Sequence, residues 1–310
     1  MESKKLLVTA SPHLTDGSST MGLMVHVIIA LVPAWIASVL IFGLRALAVS
    51  AVTVIACVVF EALYNILMKK PQTIGDCSAV VTGIILAFNL PASIPLWIAV
   101  VGAFVAIVVT KQLFGGLGMN FANPALVGRI ALFIGFAARM TNYTPPEGAL
   151  DGMASATPLA LAKTQSGIAM LKDLLLGTHP GMLGETCAVA LILGGIYLIA
   201  TKTISPAVPV SYLATVAVMC VLLGQDVVLH LLSGGLLLGA FFMATDYVTS
   251  PFTLKGKIVF GIGLGIITCA IRFYGNMNEG VSFAILLMNL VVPYINDLTR
   301  QKPLAGGNAK

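Results

Sequence analysis

Charge is scarce in this chain: Asp, Glu, Lys and Arg together make up 9% of its 310 residues, against roughly 25% in a soluble domain. That shortage excludes a solvated globular surface. With 58% hydrophobic residues and a mean hydropathy of +1.00, the chain reads as a polytopic membrane protein. Cysteine is sparse too. Cys57, Cys77, Cys187, Cys220 and Cys269 are scattered without a C-x-x-C pair, which argues against a disulfide frame or a ferredoxin-type cluster run. His26 and His230 have no second ligand three or four positions on, so neither zinc nor haem is expected on them. No G-x-G-x-x-G follows a strand pattern, so no dinucleotide site is expected. Residues 1–20 are polar and lack a short apolar core with a cleavage site, so no cleavable signal peptide is expected. A net charge of +5 and a pI near 9.0 do not point to nucleic acid, because the basic residues sit at the ends of apolar runs and not in a stripe.

What is abundant is apolar sequence in lengths near the ~20 residues that cross a bilayer. Ten spans are predicted, at about 21–43, 46–68, 76–91, 94–110, 123–138, 184–201, 206–224, 227–245, 257–272 and 281–297, giving an all-α polytopic membrane fold. The third and ninth are short. With the N-terminus inside, the cytoplasmic segments hold eleven Lys and Arg residues, and the outer segments hold five: Arg45, Arg139, Lys163, Lys172 and Arg272. That bias puts both termini in the cytoplasm and the 140–183 loop outside. The expected organisation is a cytoplasmic segment 1–20, a five-helix unit 21–139, the outer loop 140–183, a second five-helix unit 184–297 and a cytoplasmic tail 298–310.

Five spans on each side of the loop make the two units opposite in orientation. Lys111…Gly118-Met119-Asn120 joins the fourth and fifth spans, and Arg272-Phe273-Tyr274-Gly275-Asn276-Met277-Asn278 joins the ninth and tenth. Thr82 to Pro91 in the third span similarly matches Gly234 to Phe242 in the eighth. An inverted five-plus-five repeat is therefore expected, with broken helices and polar backbone at a central crevice. Gly115-Gly116-Leu117-Gly118 and Asn120…Asn123-Pro124 are the candidate break, since glycines tolerate unwound backbone, Pro124 suits a helix's first turn and the Asn amides can bond a ring edge or an ion.

Ionisable residues at lipid depth call for a partner or a function. Glu61 is expected to face water near Lys69. Asp76 and Glu185 are expected to cap the helices they precede. Asp246 ends the eighth span and either solvates that end, lines an ion path or holds a flavin. Arg129, a turn into the fifth span, needs an anion or carbonyl partner or snorkels to the cytoplasmic surface. His26 and His230 are expected to pack or to bond backbone.

The one long hydrophilic loop contains Asp151-Gly152-Met153-Ala154-Ser155-Ala156-Thr157-Pro158-Leu159. It offers a Thr157 hydroxyl among small residues, exposed enough for another enzyme to modify, and Thr before Pro158 is also a helix start signal. This stretch resembles the acceptor at which a flavin transferase esterifies the phosphate of FMN to threonine. Lys111-Gln112-Leu113-Phe114-Gly115-Gly116-Leu117-Gly118 with Asn123-Pro124-Ala125-Leu126-Val127-Gly128-Arg129 extend the likeness, as does His230-Leu231-Leu232-Ser233-Gly234-Gly235 through Ala244-Thr245-Asp246. Together they are similar to the family of membrane proteins that includes the D subunits of Rnf complexes and the B subunits of sodium-pumping NADH:quinone oxidoreductases. The likeness covers nearly the whole chain. One departure is local: the acceptor usually has Ser or Thr three residues before the modified threonine and Gly two before it, where this chain has Ala154 and Ser155.

The resemblance implies covalent FMN on Thr157, with Asp151, Gly152, Ser155, Ala156 and Pro158 as its motif. It implies an inverted-repeat fold, a place in the bacterial inner membrane and contacts with lipid, with other Rnf subunits and, during maturation, with the flavin transferase. It further implies electron transfer between reduced ferredoxin and NAD+ coupled to Na+ or H+ export, with this chain a relay that is not catalytic alone. A second, non-covalent flavin such as riboflavin, for which Asn120, Asn123, Arg129 and Asp246 are candidate ligands, stays open. So do two other readings, the B subunit of a sodium-pumping NADH:quinone oxidoreductase and a small-solute channel or carrier.

Overall fold

Long runs of Leu, Ile, Val and Ala can satisfy their backbone amides away from water only within a helix or a closed barrel. In the computed structural model, which describes residues 19–143, 157–161, 170–185, 187–275 and 280–300, every regular element is helical. Helix α1 (Thr20–Phe42) starts where the Ser19 side chain accepts from the Gly22 amide at 3.1 Å. It reverses through Gly43 alone into α2 (Leu44–Leu67); Gly43 has φ 67, a left-handed value that glycine takes without a Cβ penalty. A short turn at Ile74–Asp76 leads into α3 (Ser78–Phe88), whose 11 residues span about 16 Å at 1.5 Å per residue, half a bilayer core.

Helix α4 (Leu96–Phe104) continues in wider π-helical turns over Val105–Gln112. After an irregular stretch come α5 (Pro124–Gly135) and α6 (Ala137–Met140). Two short helices follow, α7 (Pro158–Leu161) and α8 (Met170–Leu176), then α9 (Ala188–Ala200) and α10 (Ala207–Leu222). The α11 helix (Val227–Leu232) is separated by residues 233–235 from α12 (Leu236–Leu238), which widens into π turns over Gly239–Met243. The chain closes with α13 (Leu254–Tyr274) and α14 (Val281–Thr299).

Helices α1, α2, α13 and α14 are long and apolar enough to cross a membrane. Helix α2 packs against α3 and α4, α10 against α13, and α13 against α14. The parts of the chain before and after the 140–183 loop meet where α1 packs on α9 and α5 on α14. At the first of these contacts Gly194 lies so close to α1 that a Cβ there would collide with the Ala30 carbonyl. A second apolar cluster gathers Phe42, Ala46, Leu90, Ile94, Leu132, Met140 and Leu183, so the end of α1, the start of α2, the end of α3 and the end of α5 share one side of the molecule.

Two expectations about length change. The ninth predicted span is not short, because α13 runs 21 residues. The eighth is not one helix. It breaks at Gly234 and Gly235, both left-handed with φ 69 and 66, and hydrophobicity alone could not reveal a break inside an apolar run.

Candidate functional site

Both π-helical segments end at one cleft. Wider turns leave the i to i−4 ladder incomplete and recur at functional sites. Here they bring Lys111 from one segment, and Phe241 and Phe242 from the other, to an open cleft with about 80 Å³ of enclosed space. Asn120, Asn123, Thr245, Asp246 and Tyr247 complete its polar rim, while Met24, Val27, Ile85 and Pro124 are among its apolar walls. The glycine stretch behaves as expected: Gly115, Gly116 and Gly118 have φ of 122, 101 and 93, and the chain stays irregular until Asn123. Pro124 occupies the first turn of α5, and the Asn123 Oδ1 accepts from the Ala125 amide at 3.1 Å. The Asn123 Nδ2 donates to the Met243 carbonyl at 3.3 Å, which ties the two broken elements together. Asn120 donates to the Ala122 carbonyl at 3.0 Å. Asp246 accepts from the Thr249 hydroxyl at 3.0 Å.

The structure thus unites Asn120, Asn123 and Asp246 but leaves Arg129 out. Arg129 is buried and bonded to the Asn89 Oδ1 at 2.9 Å, to the Ser282 hydroxyl and to the Met182 sulfur at 3.1 Å. It neither lines the cleft nor snorkels to the surface. It staples α5 to the end of α3, the start of α14 and the segment before α9.

Glu61 also departs from expectation, since it faces no water. It is 0% exposed, and both its oxygens accept from Lys111 Nζ, at 2.9 and 2.8 Å. Lys111 donates a third bond to the Ser78 hydroxyl at 2.6 Å, and Ser78 in turn donates to Asp76 at 2.5 Å. Asp76 also caps α3 as expected, by accepting from the Ser78 amide at 2.8 Å. On the other flank the Thr73 hydroxyl donates to Glu61 at 2.6 Å and accepts from Asn65 at 3.0 Å. The sequence places Lys111 at the join of the fourth and fifth spans and in the family likeness, with no sign of its pairing with a carboxylate 50 positions earlier.

Glu185 stands three residues before its own helix, which starts at Ala188. It accepts from the Gly234 amide at 2.5 Å. Arg272 donates to the carbonyls of His230, Ser233 and Gly234 at 2.7, 3.0 and 3.1 Å, so one anion and one cation hold the break in the eighth span. Leu159 of α7 packs on the Gly234 backbone and clusters with Leu174 and Leu229. Just before it, Thr157 is 5% exposed, contrary to the expected exposed hydroxyl, because the apolar Leu159 anchors the segment against α11. Pro158 opens α7 as expected. Asp151, Gly152, Ser155 and Ala156 lie outside the described residues.

Near this seat, His230 stacks edge-on against Phe273, and its buried Nδ1 has no hydrogen-bond partner among the described residues. The same holds for Nε2 of His179, which follows α8; burial lowers the basicity of that ring below its ordinary value of 6.5. His26 bonds the Tyr197 hydroxyl at 2.9 Å, not backbone.

Fold and site together define an all-helical membrane protein with a polar cleft built from broken helices. Its sequence matches the NQR2, RnfD, RnfE family over residues 7–305. It is 48% identical, over 97% of this chain and 96% of the relative, to the D subunit of the Na(+)-translocating ferredoxin:NAD(+) oxidoreductase complex of Acetobacterium woodii. It is 40% identical, over 94% of each, to the D subunit of the proton-translocating ferredoxin:NAD(+) oxidoreductase complex of Clostridium ljungdahlii. A third relative, the D subunit of the ion-translocating oxidoreductase complex of Stutzerimonas stutzeri, is 37% identical over 94% of each. The chain belongs to the NQR2, RnfD, RnfE family.

Proposed function

We propose that this chain is the D subunit of an Rnf-type ferredoxin:NAD+ oxidoreductase, a membrane relay that carries electrons through bound flavin. The observation that carries the reading is the 48% identity, over nearly the full length of both chains, to a protein of that name. FMN esterified at Thr157 is consistent with the site: α7 and α8 both pack on α11, and the buried nitrogens of His230 and His179 have no partner among the described residues. Thr157 would hold the phosphate, and the Leu159 anchor would fix where the tether begins.

We propose that a second, non-covalent flavin binds at the mouth of the cleft. Its amide, hydroxyl and carboxylate groups suit the polar edge of a ring, and Phe241, Phe242 and Tyr247 offer aromatic walls. When bound, a flavin exchanges one or two electrons and so links a two-electron carrier to one-electron centres. Asn120, Asn123 and Asp246 would orient the ring, and the apolar wall would limit water. Arg129 is a brace and has no part in this site. The alternate helix ends gathered by one apolar cluster in the first half, the α1–α9 and α5–α14 contacts and the Lys111 and Arg272 correspondence support our reading of an inverted five-plus-five repeat with ten spans. We read both termini as cytoplasmic and the 140–183 loop as outside, in a bacterial inner membrane, with the other subunits of the complex as partners. A relative named for Na+ and another named for protons leave this family open to either coupled ion.

Intact-mass analysis of the purified chain tests the reading. One added FMN is expected, lost in Thr157→Ala, and an unmodified wild-type chain from cells that contain the flavin transferase would overturn the tether. Asn120→Ala and Asp246→Asn are expected to lower the acid-extractable flavin while the covalent FMN stays.

A further inference from the structure

The wall of the cleft contains a charge arrangement that flavin binding alone does not need. Lys111 is 2% exposed and reaches the cleft beside Ser78, yet all three of its ammonium bonds are taken by Glu61 and Ser78. Behind it the chain of bonds runs outward in two directions, through Ser78 to Asp76 and through Glu61 to Thr73, and residues 71–75 are exposed. The charged and titratable groups around the ammonium are Glu61 and Cys57 of α2 and Asp76 before α3, with Asp246 across the cleft. A buried pair of this kind is neutral as a unit, but its two charges respond in opposite ways to a third charge arriving at the cleft.

We propose that Glu61 and Lys111 are the charge-compensating pair of the cleft: negative charge arriving there draws the Lys111 ammonium from Glu61, and the released Glu61 carboxylate takes up a proton from water by way of Thr73. The proposal rests on the reading of the cleft as a flavin site. The balance closes. One electron from an iron–sulfur donor of the complex adds one negative charge to the cleft, one proton from the aqueous side converts the Glu61 carboxylate to an acid, and the net charge of the buried region is unchanged. A low-dielectric wall makes such compensation favourable, because an uncompensated buried charge is costly. Lys111 acts here as a positioning residue, supplying its charge to whatever the cleft holds, and Glu61 is the group that stores the proton.

The test is a spectroelectrochemical titration of the non-covalent flavin in the purified complex at several pH values, on a Thr157→Ala background so that no covalent flavin overlaps. In the parent protein the midpoint potential is expected to fall as pH rises, and redox-difference infrared spectra should show a carboxylic acid band appearing on reduction. Glu61→Gln should abolish both the pH slope and the band. Lys111→Met should lower the potential at every pH, and Lys111→Arg should restore it. Because breaking a buried pair can prevent folding, the doubly neutral Glu61→Gln/Lys111→Met variant is measured alongside and should show a low, pH-independent potential. A parent potential that does not vary with pH, or a slope and band that persist in the flavin-retaining Glu61→Gln variant, overturns this proposal and leaves the cleft reading standing. A parent complex with no acid-extractable flavin overturns both.

Discussion

Replacing Arg272 by Met removes the cation that holds the break in the eighth span. The methionine side chain is shorter but apolar and of similar volume, so the perturbation is chiefly loss of the charge and its hydrogen bonds. Three carbonyls, of His230, Ser233 and Gly234, lose donors at 2.7, 3.0 and 3.1 Å. They lie at the C-terminal end of α11, where carbonyls have no partner within the helix, and the site is buried. Each unsatisfied buried acceptor costs about 1–3 kcal/mol. The three share one donor group and relax together, so an overall loss of about 4 kcal/mol is expected, at the upper end of single-substitution effects. At roughly 2 °C per kcal/mol for a chain of this size, the melting temperature should fall by about 8 °C. Arg272→Lys should lie between, because an ammonium cannot span three carbonyls as the guanidinium fork does. The assay is thermal unfolding in detergent, followed with a thiol-reactive fluorogenic dye, since Cys57, Cys220 and Cys269 are fully buried and report loss of the helix packing. If Arg272→Met melts within a degree of the parent, the guanidinium does not hold the break and the reasoning fails.

Gly194→Leu should separate α1 from α9, costing about 1–3 kcal/mol or more as overpacking does, because even a Cβ there meets the Ala30 carbonyl; an unchanged melting curve would show that this contact is loose. Burial lowers the basicity of His179, so the folded protein binds fewer protons than the unfolded chain below about pH 6.5. Its contribution is therefore complete above that pH and declines as pH falls through it. Melting temperature should drop between about pH 7.5 and 5.5, and His179→Gln should flatten that part of the curve. A cysteine placed at Ser166, outside the described residues, in a chain lacking the native cysteines should react with an impermeant maleimide in intact cells; labelling only after lysis would reverse the proposed orientation.

Some of this architecture follows from residue type and spacing alone. Continuous apolar runs of about 20 residues, without the alternation of barrel strands, read as helices in lipid, and the irregular stretch before α5 was legible because Gly115, Gly116 and Gly118 permit positive φ while Asn123-Pro124 is a helix start. The candidate cleft was legible in part: Asn120 and Asn123 stand next to a local break, and Asp246 ends an apolar run. That they share one space was decided by the tertiary structure, which folds the end of the second π-helical segment back onto Asn123 through the Met243 carbonyl.

Where sequence reading failed, the deciding partner lay far away along the chain. Glu61 looked solvated because Lys69 is its sequence neighbour, but helix packing supplies Lys111, 50 positions on. Glu185 looked like a cap because it precedes a helix, but it also accepts from the Gly234 amide, 49 positions on, which no local reading could supply. Thr157 looked exposed because its neighbours are small and polar, but Leu159 finds an apolar seat against α11 and carries the threonine into the interior. The sequence by itself determined the helices, the places where glycine and proline interrupt them and the residues capable of polar chemistry. Only the tertiary structure decided which charges neutralise one another, because pairing in a low-dielectric interior depends on distance in space, and an interrupted apolar helix has its open backbone groups satisfied by whichever side chain packing brings there.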